Sequence, residues 1–179
     1  MNKHLPDFQN LISFTIRHQI TPVSLIAEAL KKRCCRLLSI SLSSRTMWAG
    51  KIVPAGSHPA LKQYACLISQ YLDGAHNDLS SIGISTDEFS EFRRRVTKAA
   101  QTIPYGKTVS YAGLACKAGY PRAVRAVASV MRNNPFPLVV PCHRVIRSDG
   151  SIGGYAGKTS GKPVALKRRL LALEKNTAE

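Results

Sequence analysis

At 179 residues and 44% hydrophobic side chains, the chain can bury a core as one large or two small domains, which excludes a disordered polypeptide. Its 26 Lys+Arg against 10 Asp+Glu give a formal charge of +16, a field that gathers polyanions, nucleic acid first and an anionic membrane surface second. No run reaches the roughly eighteen apolar residues of a membrane span, and the N-terminus lacks the charged-then-apolar order of a signal peptide, so a cytoplasmic protein is expected.

In chain order, residues 11–16 and 37–42 are apolar runs that read as short strands. Residues 24–38 carry Leu25, Ile26, Ala29, Leu30 and Leu37 at near-helical spacing, so a helix competes with a strand there. Beyond the turn-like Pro54-Ala55-Gly56-Ser57, the positions Leu61, Tyr64, Ala65, Leu67, Ile68, Tyr71 and Leu72 predict a helix that stops at Gly74. The polar residues 75–81 read as a linker and divide the chain into an N-terminal α/β domain, 1–82, and a C-terminal domain, 83–179.

Ser85 and Glu88 form a capping-box pattern that opens a helix through Phe89, Phe92, Val96 and Ala100, with Arg93, Arg94 and Arg95 on its exposed face and Pro104 ending it. A short helix over 110–118 closes at Gly119, and another starts at Pro121 and reaches Asn133. Two short helices across a glycine turn match a helix-turn-helix; an ordinary helical hairpin has the same spacing. An apolar strand, Leu138-Val139-Val140, a Gly-rich loop over 144–157 and a terminal helix over 166–174 complete the chain. Residues 92–148 hold no acidic side chain, which favours a DNA-facing C-terminal half.

The cysteines Cys34, Cys35, Cys66, Cys116 and Cys142 are odd in number and lack CxxC spacing, so they read as reduced thiols. Cys66 and Cys116 read as core. Cys142 stands between Pro141 and His143-Arg144, and a base or positive potential beside a cysteine is what a thiolate nucleophile needs. A Cys-His dipeptide is more often an unreactive core thiol, so the pair alone leaves both readings open. Adjacent side chains tend to point apart, which makes water the natural proton path between them.

Pro141-Cys142-His143-Arg144-Val145-Ile146 resembles the active-site motif of the 6-O-alkylguanine-DNA alkyltransferases. The resemblance runs over residues 87–174 through Ile103-Pro104-Tyr105-Gly106-Lys107-Thr108, Arg125-Ala126-Val127, Asn133-Asn134-Pro135, Gly153-Gly154-Tyr155 and Leu170-Leu171-Ala172-Leu173-Glu174. It implies an α+β protein: a small ribonuclease-H-like sheet domain followed by a mostly helical domain of the winged helix-turn-helix kind. It also implies a single-use DNA repair protein acting as a monomer. Cys142 takes the alkyl group from the 6-oxygen of guanine, with the 4-oxygen of thymine a second target. His143 takes the thiol proton through water, and Glu174 orients the imidazole. No cofactor is implied.

The same resemblance assigns Arg125 as the finger that fills the stack when the nucleotide is everted, and Tyr111 as the residue that crowds the 3′ phosphate and bonds the flipped base. Carbonyls of Cys142 and Val145, the loop at Tyr155-Ala156, Asn134 and Pro137 form the base pocket. Ala123, Ala126 and Ala128 keep the helix thin enough for a minor groove about 6 Å wide, with Arg122 and Arg132 beside them. The site of action is the nucleoid of a prokaryote or the nucleus of a eukaryote. Val124 is bulkier than the family residue, and the loop over 158–164 is longer. Four zinc ligands cannot be assembled from His4, His18, Cys34, Cys35, His58 and His76, so no metal is expected. Two rivals remain: an alkyltransferase-like protein that binds lesions without transfer, and a helix-turn-helix regulator.

Overall fold

The structure, a computed structural model, describes residues 11–31, 34–42, 53–54 and 58–176. Strands β1 (Leu11–Ile16), β2 (Val23–Lys31), β3 (Cys34–Ser41) and β4 (Val53–Pro54) form a sheet in the order β3-β2-β1-β4, with β4 parallel to β1 and the other pairs antiparallel. The competing helix over 24–38 is therefore overturned. β2 is a central strand in which Val23, Ser24, Leu25, Ile26 and Ala27 are all buried, and burial on both faces removes the alternation that marks a half-exposed strand. The turn-like Ala55-Gly56-Ser57 and His4 lie outside the described residues.

Helix α1 (Pro59–Leu72) starts with proline at its first turn and packs Leu61, Ala65, Ile68, Tyr71 and Leu72 inward against β1 and β3. Gly74, at φ 100°, takes the left-handed position after its last turn, where a side chain would be strained. The predicted linker is packed rather than loose: Asp78 caps a 3-10 turn at Leu79–Ser81, and Leu79 and Ile82 are buried. Ile84 then bridges Leu37 in parallel, with Leu37 N donating to Gly83 O and Ser85 N to Leu37 O. That sheet contact claims the Ser85 backbone, so the predicted capping box does not open α2 (Glu91–Gln101); Ser90 does, its hydroxyl accepting from Arg93 N at 3.3 Å.

In the second half, α2 packs with α3 (Tyr111–Lys117) and α4 (Val124–Arg132). Ser110 caps α3 by accepting from Gly113 N at 3.0 Å. α4 starts after the predicted Pro121, because Ala123 N closes a turn onto Tyr120 O before the helical ladder begins. The predicted strand at 138–140 is a turn: Leu138 adopts φ 75°, a costly position for leucine that its burial holds in place. Just before the cysteine there is an isolated bridge, Pro137 to Val140, and the paired strand follows it, where β6 (Val145–Ile146) lies parallel to β5 (Val109–Ser110). Helix α5 (Lys162–Asn176) starts earlier than predicted and absorbs the last three residues of the longer loop.

Candidate active site

Cys142, His143 and Arg144 form one 3-10 turn between the Leu138 turn and β6, and all three are buried. Asn134 sets the approach: its amide donates to Val140 O at 2.8 Å while its oxygen accepts from Phe136 N at 3.0 Å, and Cys142 N donates to Val140 O at 2.7 Å. Cys142 is 7% exposed and lines two cavities. One, about 190 Å³, is bounded by Tyr111, Ala128, Tyr155, Ala156 and Gly157, with Arg132 at its rim. The other, about 820 Å³, runs between the sheet and α5 past Ile40, Pro137 and Leu166.

His143 Nε2 lies 2.8 Å from Glu174 Oε1, and both side chains are essentially inaccessible. Arg144 donates to both carboxylate oxygens from Nε at 3.0 Å and spends a further N–H on Ile103 O at 2.7 Å. Gly106 N reaches Glu174 Oε2 at 3.1 Å. Burial would raise the Glu174 carboxyl, but hydrogen bonds and charge from His143 and Arg144 win and lower it to about 2. Burial holds His143 below its ordinary value against the opposing pull of Glu174, so the ring stays a neutral base. With Nε2 committed to the carboxylate, the buried Nδ1 has no partner and is the nitrogen free to accept a proton.

Burial raises the Cys142 thiol, while Asn134, the ammonium of Lys167 and Tyr155 act in the opposite direction. Lys167 is buried on α5, donating to Val145 O at 2.6 Å and Gly154 O at 3.3 Å, and burial lowers it to about 8. The Tyr155 N–H is spent on Lys158 O, and its buried hydroxyl is raised by burial and by charge and hydrogen bonding at Cys142. Tyr111, on α3, is raised by burial and the same charge.

On α4, Arg125, Ala126 and Arg132 are exposed, as is Arg122 just before it, and Ala123 and Ala128 are half-buried. Val124 packs against the core rather than standing free on that face. Three arginines of the basic half turn inward or pair. Arg93 stacks on Phe89 and donates to Asn133 O, Arg95 meets Glu91, and Arg144 is the buried partner of Glu174.

Cys66 and Cys116, predicted as core, are exposed on the outer faces of α1 and α3. The sequence reading passed over two residues that the structure brings to the site, Tyr71 and Lys167. Both carried a signal: each puts a polar atom on an otherwise apolar helical face, Tyr71 beside Ile68 and Leu72, and Lys167 between Val164 and Leu170. Among the described residues no cluster of His, Cys, Asp or Glu has the geometry to hold a metal, and no helix is long and apolar enough to cross a membrane.

Residues 91–176 match the family model described as 6-O-methylguanine DNA methyltransferase, DNA binding domain. A methylated-DNA--protein-cysteine methyltransferase of Mycobacterium bovis is 36% identical over 166 residues, 92% of each chain. The namesake in Methanothermobacter thermautotrophicus is 42% identical over 64% of this chain and 61% of its own. The mouse protein of that name is 51% identical over 46% of this chain and 38% of its own, so the chain spans less than two thirds of these last two relatives.

The crystal structure of Mycobacterium tuberculosis O6-methylguanine methyltransferase superposes with a TM-score of 0.73 at 30% identity, covering 94% of this chain and 95% of that one. A structure of the M. tuberculosis protein in complex with DNA gives 0.69 at 30% identity, covering 92% and 93%. Sequence and fold thus agree across nearly the whole chain, which belongs to the methylated-DNA--protein-cysteine methyltransferase family.

Proposed function

We propose that this chain removes methyl and other alkyl groups from the 6-oxygen of guanine in duplex DNA, each molecule acting once. The observation that carries this reading is the Cys142 sulfur at a cavity wall beside a buried, neutral His143. That ring has Nε2 held by Glu174 and Nδ1 unpartnered. His143 Nδ1 takes the thiol proton through a water, Glu174 stabilises the resulting imidazolium, and the thiolate attacks the alkyl carbon in line. The carbon–sulfur bond forms as the carbon–oxygen bond breaks, its electron pair staying with guanine, which leaves as an anion and takes up a proton. A thioether has no hydrolytic route back to the thiol, so the protein is consumed.

We assign the smaller cavity to the everted guanine, with Tyr111 at one wall, Ala156 N donating to its oxygen and Val145 O accepting from its amino group. Exposed Arg125 enters the vacated stack, the alanines of α4 face the minor groove, and Arg122 and Arg132 meet phosphates. The division into 1–82 and 83–179, the winged helix-turn-helix description and the monomeric state belong to this proposal, as does action wherever the cell keeps its DNA.

The test uses duplex DNA carrying radiolabelled 6-O-methylguanine, followed by digestion and mapping. Label on the Cys142 peptide, at most one group per molecule, is expected. Cys142→Ala abolishes transfer and keeps lesion binding. A variant that still transfers label overturns the nucleophile, and wild-type protein that binds the lesion without taking label points to the binding-only relative.

A further inference from the structure

Helix α1 lies outside the 91–176 segment that matches the DNA-binding model, yet it delivers a hydroxyl into the centre of the site. Tyr71 is fully buried; its Oη donates to Glu174 Oε1 and lies 3.2 Å from His143 Nε2. Its ring meets the edge of Tyr105 at 5.8 Å between centroids. A buried tyrosine must satisfy its hydroxyl, and a backbone carbonyl would do. This one instead joins a carboxylate already served by Arg144 and Gly106 N, on the same oxygen that His143 uses.

Resting on the alkyl-transfer reading above, we propose that Tyr71 is a positioning residue for the reaction. Its hydroxyl locks the Glu174 carboxylate so that His143 keeps its proton on Nε2 and presents Nδ1 toward the cysteine. Two consequences follow from the shared oxygen. First, Oε1 is held in the imidazole plane by a donor from a different element, so ring orientation does not depend on α5 alone. Second, each hydrogen bond to Oε1 takes up part of its charge, which leaves less to hold a proton on the ring.

The charged and titratable groups facing His143 are Glu174 and Lys167 from α5, Arg144 from its own turn and Tyr71 from α1. Of these, Tyr71 is the neutral donor whose removal leaves every charge in place. Tyr71 itself keeps its proton at all working pH, because burial and the Glu174 charge both push its ionisation upward. Losing its hydroxyl returns charge to Oε1 and favours the imidazolium. The base is then idle to a higher pH.

Tyr71→Phe in the full-length protein tests this. Single-turnover transfer from labelled duplex is followed between about pH 5 and about pH 9, with lesion affinity and denaturation midpoint measured alongside. The expected result is a transfer rate about tenfold lower at neutral pH, unchanged lesion affinity, and an acid limb moved toward higher pH so that the deficit narrows in alkali. A wild-type profile overturns the role; so does an equal loss at every pH that tracks a lowered midpoint.

Nitrogen NMR of the His143 ring supplies a readout that needs no transfer. The wild type is expected as the Nε2–H tautomer, and Tyr71→Phe as a ring that stays protonated to higher pH. Identical titrations in the two proteins overturn the Tyr71 role. Failure of the wild type to take any label overturns the alkyl-transfer reading alone.

Discussion

The proposed role of Cys142 asks a buried sulfur to become a thiolate, which needs hydrogen bonds and a compensating charge, and Lys167 supplies the charge. Burial raises the Cys142 thiol, and the Lys167 ammonium, Asn134 and Tyr155 offset part of that rise. Lys167 itself sits near 8, so at neutral pH it is still mostly a cation, and its support fades as pH rises past that value. Lys167→Met keeps the length of the side chain and removes the charge. It should raise the Cys142 thiol and slow transfer at neutral pH about tenfold. The check is the pH dependence of iodoacetamide labelling, mapped by mass spectrometry, with exposed Cys66 and Cys116 as references in the same molecule. An unmoved Cys142 profile would show that the ammonium serves only to tie Val145 O and Gly154 O.

The cavity proposed for the base is walled by a short loop whose shape depends on close backbone approach. A Cβ on Gly154 would stand 2.8 Å from the Lys158 carbonyl oxygen, the same oxygen that accepts from Tyr155 N at 2.8 Å. Gly154→Ala must therefore open the Tyr155–Lys158 bridge and move the wall carrying Tyr155 and Ala156. Transfer should fall at least tenfold while the denaturation midpoint changes little, because Ala156, Gly157 and Lys158 are exposed and only Tyr155 of this turn reaches the core. Retained transfer would mean the wall tolerates displacement. Elements with one apolar face, α1 above all, were legible from spacing, and so was the run Pro141-Cys142-His143. What escaped was set by contacts between distant segments: the Ile84 bridge that displaced the start of α2, the two-sided burial that disguised β2, and the Leu138 turn held by Asn134. Tyr71 is marked by its apolar neighbours Ile68 and Leu72, but its role escaped because its partner Glu174 lies far off in sequence on α5.

Because the Glu174 cluster ties α1, the Cys142 turn and α5 together, its protonation is also a property of the whole fold. Glu174 is lowered from 4.5 to about 2 in the folded chain, so the unfolded chain binds the proton more readily. Its contribution is complete above about 4.5 and is lost as pH falls toward about 2, a total on the order of 3 kcal/mol. His143 acts with the same sign: its folded value lies below the ordinary 6.5, so unfolding takes up a proton there and stability begins to drop below that pH. Urea midpoints for the wild type should therefore decline from about pH 6.5 downward and steepen below about pH 4.5. Glu174→Gln strands the buried Arg144 guanidinium, which costs about 3–5 kcal/mol at neutral pH. Protonation of the wild-type carboxyl strands the same guanidinium, so the two curves should converge as pH falls to about 2. The repulsion of a chain carrying a formal +16 is common to both proteins and cancels in the comparison. Curves that stay parallel down to that pH would mean that the carboxylate does not couple these three segments.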